Sequence, residues 1–174
     1  KIAQNILSEK EKLVNISLLI GVVFSLPLLA SSLLRAVDIG WQSVFYLHFM
    51  LAGLVFLLFL FRDRASYHLK VNTILSILIT LYITGLYNFG LFANDEIIAM
   101  TIPLLGAIFY GTRTALFILL FEMIYMFTIA ILSHYKMITF TVTASDLGNS
   151  LFQWIETSIS LLTFISVLIL SIGK

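Results

Sequence analysis

The fold this sequence predicts is an all-α membrane protein, a bundle of six transmembrane helices with both termini in the cytoplasm. Three observations carry it. First, the composition is 60% hydrophobic and 11% charged, with a mean hydropathy of +1.07. A soluble domain is nearer half apolar and a quarter charged. A water-soluble fold of 174 residues could not hide so much apolar side chain. Second, the apolar residues fall into runs close to the roughly 20 residues that cross a hydrocarbon core. Third, Lys and Arg alternate between the two sides of the runs as the positive-inside rule requires.

The expected spans are residues 13–34, 44–61, 71–88, 93–110, 114–133 and 151–172, within a single transmembrane domain, 1–174. The first carries Ser17, Gly21 and Ser25 at four-residue spacing, a small-residue face that lets helix backbones approach closely. It is read chiefly as internal packing, with dimer contact as the alternative. The fourth contains Pro103, which a membrane helix absorbs as a kink. The fourth and fifth are separated by little more than Gly111-Thr112-Arg113, so they should pack as an antiparallel hairpin.

The connections hold the charge. With the N-terminus inside, the cytoplasmic set is Lys1, Lys10, Lys12, Arg62, Arg64, Lys70, Arg113 and Lys174, and the outer set is Arg35 and Lys136. That asymmetry alternates correctly at every loop and supports six spans. The stretch before the first span, residues 6–12, mixes charge and apolar side chains and reads as a helix entering the cytoplasm or lying on the interface. The chain opens on Lys1 and closes directly after an apolar run, as expected of a piece of a longer protein.

Several chemistries are unsupported. There is no basic patch outside short loops, which argues against nucleic acid. Cysteine is absent, which removes thiolate catalysis and zinc–thiolate sites. There is no Gly-x-Ser-x-Gly, P-loop or nucleotide motif, and no His/Glu spacing suited to a metal. No catalytic residue and no cofactor are expected.

Candidate site residues are the ionisable and polar groups inside the spans, since such groups are costly in lipid. Glu122 lies near the middle of the fifth span, with Tyr125 about one turn further on the same face. Glu156 lies near the outer end of the last span. His48 lies in the outer third of the second. Tyr87 and Asn88 lie at the outer end of the third, and Trp154 at the same level. By depth they converge on the outer half of the bundle, where apolar walls with a few polar anchors would suit a small apolar or amphipathic ligand. Each has a plainer reading. Trp41, Tyr46 and Trp154 suit an interfacial belt, Glu156 is near water, and His48 can bond a neighbouring helix. Glu122 can be a neutral acid pinning two helices through Tyr125, Thr80, Thr163 or His48. In that case Glu122→Gln should be nearly silent and Glu122→Leu should lower stability.

The segment from Ile102 to Arg113, an apolar run with Pro103 closing on Gly111-Thr112-Arg113, follows a third span ending in residues 82–91. A polar loop and Ser150-Leu151-Phe152-Gln153-Trp154 come after the fifth span. From about Arg62 onward this order resembles the N-terminal multi-span sensory region of bacterial sensor histidine kinases. The resemblance implies a signal-input domain of a two-component system, acting as a homodimer in the full-length protein and passing its stimulus to cytoplasmic modules. It supplies no ligand identity and no binding residues. Two alternatives stand beside it. One is a substrate-binding membrane subunit of a vitamin or metal uptake transporter. The other is the input domain of a diguanylate cyclase.

Overall fold

The computed structural model describes residues 2–90 and 95–140. Among these the secondary structure is helical throughout: α1 (Ile2–Ile39), α2 (Ser43–Leu60), α3 (Tyr67–Phe89), α4 (Asp95–Tyr110) and α5 (Thr112–His134). Four segments are long and apolar enough to cross a membrane: Glu9–Val37, Ser43–Leu60, Tyr67–Phe89 and Thr112–His134. The fourth helix is shorter and apolar over Ile97–Tyr110. These are five of the six expected elements. The sixth expected span, residues 151–172, lies outside the described residues.

Two boundaries differ from the expectation. Helix α1 has 38 residues, roughly 57 Å at about 1.5 Å per residue. That far exceeds the roughly 30 Å hydrocarbon core. Helix α3 begins at Tyr67, not Val71, so Lys70 belongs to its first turn instead of a loop. Hydropathy marks where a helix becomes apolar, not where its backbone hydrogen bonds begin, so it trims polar helix ends.

The described chain forms two compact units, one ending at Ile77 and the other beginning at Leu78. In the first, α1 packs against α2. Its buried apolar residues include Val14 and Leu18 of α1, Phe45 and Leu51 of α2, and Val71 and Leu75 of α3. The small-residue stripe of α1 serves this packing: a Cβ on Gly21 would lie 3.2 Å from Val55 Cγ1. Pro27 removes one backbone donor inside α1. Two residues earlier, the Ser25 hydroxyl donates to the Val22 carbonyl at 2.9 Å.

In the second unit α4 and α5 form the expected hairpin. Its turn is a single residue, Gly111, with φ 96° and ψ 173°, a backbone conformation essentially reserved for glycine. The Gly111 amide donates to the carbonyls of Gly106 and Ala107 at 3.1 and 2.9 Å, closing the end of α4. The helices approach closely at Gly106, where a Cβ would fall 2.7 Å from Ile118 Cδ1. Buried residues Ile102, Leu105 and Phe109 continue that face of α4.

Helix α5 shows how little of a membrane helix needs a protein neighbour. From Leu116 to Ile131, every residue except Ile118, Glu122, Tyr125 and Ile129 is exposed. The exceptions recur at spacings of four, three and four, one narrow seam on a 3.6-residue helix. The remaining surface is Leu, Phe, Met, Ile and Ala, apolar throughout except for Thr128, and suited to lipid. Glu122 is therefore on the seam and not on the lipid face.

Candidate functional site

Helical spacing puts Glu122 one turn from Ile118 and one turn from Tyr125 on the seam of α5. The residue is 3% exposed, and among the described residues both carboxyl oxygens are without a hydrogen-bond partner. Leaving a buried polar group unpaired costs roughly 1–3 kcal/mol. Unpaired buried groups are uncommon enough that each calls for a reason.

The helices around Glu122 are nevertheless joined by hydrogen bonds. The Tyr82 hydroxyl, on α3, donates to the main-chain carbonyl of Glu122 at 3.1 Å. The Tyr125 hydroxyl, on α5, donates back to the main-chain carbonyl of Ile83 at 2.9 Å. The two rings meet edge to face, with centroids 6.0 Å apart. Phe121 stacks on Tyr125 at 6.4 Å. Each helix thus gives the other one phenol and takes one phenol in return.

Among the described residues, this arrangement gives the Glu122 carboxyl no pinning bond. The α3–α5 pair is held by two tyrosines on backbone carbonyls, and the carboxyl takes no part. Among the described residues named from the sequence, Tyr125, Thr80 and His48 do not bond it. Thr80 lends its carbonyl to the Thr84 hydroxyl, at 2.7 Å, and His48 bonds Ser32. Thr163 lies outside the described residues.

The other sequence candidates separate. His48 Nδ1 and the Ser32 hydroxyl lie 3.0 Å apart, a bond between α2 and α1. Ser31, Ser32 and Arg35, on the same stretch of α1, are buried, and the Ser31 hydroxyl has no partner. Tyr87 is exposed. Asn88 donates from Nδ2 to the Thr84 carbonyl at 2.7 Å within its own helix. So the polar residues Thr84 and Asn88 near the end of α3 serve their own backbone. Trp154 and Glu156 lie outside the described residues. Of the seven candidates, the structure joins two, Glu122 and Tyr125, through Tyr82.

Sequence reasoning missed Lys70. Its side chain is 1% exposed. Its ammonium donates to Glu11 Oε1 and Asn15 Oδ1, each at 3.0 Å, and to the Arg62 carbonyl at 3.2 Å. Three donors meet three acceptors, which is the full capacity of the group. The node ties α1 to the α2–α3 turn and to the start of α3. No compositional signal separates Lys70 from Arg62 or Arg64. Tyr82 was also missed, although it recurs with Val71, Leu75, Leu86 and Phe89 on the buried face of α3, a spacing open to inspection.

No curated protein and no solved structure matches this sequence. The MASE11 family model matches residues 9–174, nearly the whole chain. MASE domains are membrane-associated sensory domains of bacterial signalling proteins. With its apolar helices and the polar seam they enclose, this chain belongs to the MASE11 family.

Proposed function

We propose that residues 1–174 form the signal-input domain of a bacterial sensor histidine kinase, with the stimulus read inside the bundle at Glu122. The observation that carries this is the buried carboxyl with both oxygens unpartnered, in a seam held by other groups. A structural carboxyl would be bonded. One kept open at a standing cost fits a site whose partner arrives with the signal. Membership of a sensory family favours this over the transporter subunit. The kinase output follows from the resemblance running from about Arg62 onward. A diguanylate cyclase output would use the same input.

The proposal includes six spans in the bacterial cytoplasmic membrane with both termini cytoplasmic. It also includes a homodimer of the full-length protein through the first and last spans. Gly21 is used inside the chain, so the contact on α1 would be its exposed Leu19, Val23 and Leu26.

The test is autophosphorylation of the full-length parent in lipid vesicles. Glu122→Gln should change output while the protein remains folded. Unchanged output across Gln, Ala and Leu, with folding intact, would remove Glu122 from the sensing role. Cyclic dinucleotide synthesis in place of phosphotransfer would replace the kinase by a cyclase. For topology, Ser66→Cys should resist an impermeant thiol reagent added outside spheroplasts, and labelling there would overturn the orientation. A monomer by mass measurement of the full-length protein in native-like lipid would overturn the dimer.

A further inference from the structure

We infer that the α3–α5 seam at Glu122 is a binding site for a lipophilic amine, an inference that rests on Glu122 being the stimulus-reading group. The carboxyl fixes what the ligand must offer. Both oxygens are unpartnered acceptors, so the ligand donates hydrogen bonds. The two phenols within a turn of it already donate to backbone carbonyls.

The charge balance fixes the sign. Among the described residues of the second unit, the Lys and Arg are Arg113, in the first turn of α5, and Lys136, beyond its last turn. Both are at least nine residues from Glu122, roughly 13 Å along the helix. A cation bound to the carboxylate would therefore meet little competing positive charge, and an acidic ligand would be repelled. In a low-dielectric seam an ammonium–carboxylate pair is far stronger than in water.

The aromatic groups narrow the class further. Tyr82, Tyr125 and Phe121 lie within one turn of Glu122 or bond its backbone, and the Tyr125 ring meets each of the other two. Aromatic faces attract ammonium groups, and cages of such rings are a common way to hold them. A bare metal ion fits less well. Hard cations take about six or more oxygen ligands, and the side chain here supplies two. The ligand's apolar part follows from the setting. Phe121, Met123 and Met126, beside the seam, are exposed on a lipid-suited surface, so the approach is through the bilayer.

The test uses the full chain in lipid nanodiscs, with decylamine as probe and decanol as its uncharged counterpart. Thermal unfolding is followed as each is titrated. Decylamine should raise the unfolding temperature saturably, at concentrations roughly tenfold or more below any effect of decanol. Glu122→Gln should remove that difference, and Glu122→Asp, which keeps the charge, should retain part of it. Equal effects of decylamine and decanol on wild type would overturn the proposal, as would an unaltered decylamine effect in Glu122→Gln. So would an equal, Glu122-dependent response to sodium or potassium chloride alone. Binding is read here without kinase output, so its failure is distinct from a failure of the signalling proposal.

Discussion

Lys70 and Glu122 are both ionisable, and each is almost wholly excluded from its surroundings, yet they are treated in opposite ways. The Lys70 ammonium has a partner for every proton it can donate. The Glu122 carboxyl has a partner for neither oxygen. Burial alone is therefore a poor guide to what a charged residue does in a membrane helix. What separates the two is satisfaction. A fully bonded ion holds three pieces of chain in register, while an unbonded one stands at a cost to the fold. The difference follows position. Lys70 sits at a helix end where a turn offers a free carbonyl. Glu122 is an acceptor and sits mid-helix, where the backbone N–H donors already serve the helix.

The comparison can be broken most decisively at Lys70. Lys70→Met keeps the length and removes the three donors, and should lower folding stability by roughly 2–4 kcal/mol in a reversible unfolding assay in detergent or bicelles. No loss would show that the node is ornamental. The opposite sign is expected at Glu122. Glu122→Leu removes an unsatisfied group from an apolar seam and should raise stability by roughly 1–3 kcal/mol, measured the same way. A loss would restore the helix-pin reading. Smaller effects should follow from the tyrosines. Tyr82→Phe and Tyr125→Phe each delete one hydroxyl bond and should cost about 1 kcal/mol. Because the two residues touch, the double variant should depart from additivity. The smallest effect is expected at Ser32→Ala, about 0.5–1 kcal/mol, from loss of its part-buried bond to His48.

How much of this was visible in the sequence depends on the kind of feature. Helical class and the cores of α1 to α5 follow from apolar runs, because a membrane admits few backbone solutions. The hairpin turn at Gly111 was legible because spans separated by so few residues must fold back on each other. The position of Glu122 on a buried seam was partly legible, through its spacing to Tyr125. That its carboxyl would be unbonded was not. Hydrogen-bond partners on other helices are set by rotation and register, and a list of Tyr and Thr at plausible depth cannot say whether a hydroxyl turns to a side chain or to a carbonyl. Lys70 was illegible for a related reason. A lysine beside an apolar run reads as the cytoplasmic flank of a span, and its burial depends on Glu11 and Asn15, 59 and 55 residues away.

The length of α1 has a mechanical consequence. A single hydrogen-bonded rod of 38 residues resists stretching and twisting, so a rotation imposed at one end arrives at the other nearly undiminished. Lys70 grips this rod at Glu11 and Asn15, and His48 grips it at Ser32, 17 residues further along than Asn15. Between the two grips lies Pro27, where the ladder lacks one rung and bending is easiest. A rod clamped at two heights with one compliant point between them behaves as a crank: sideways displacement beyond either clamp becomes tilt or turn at the other.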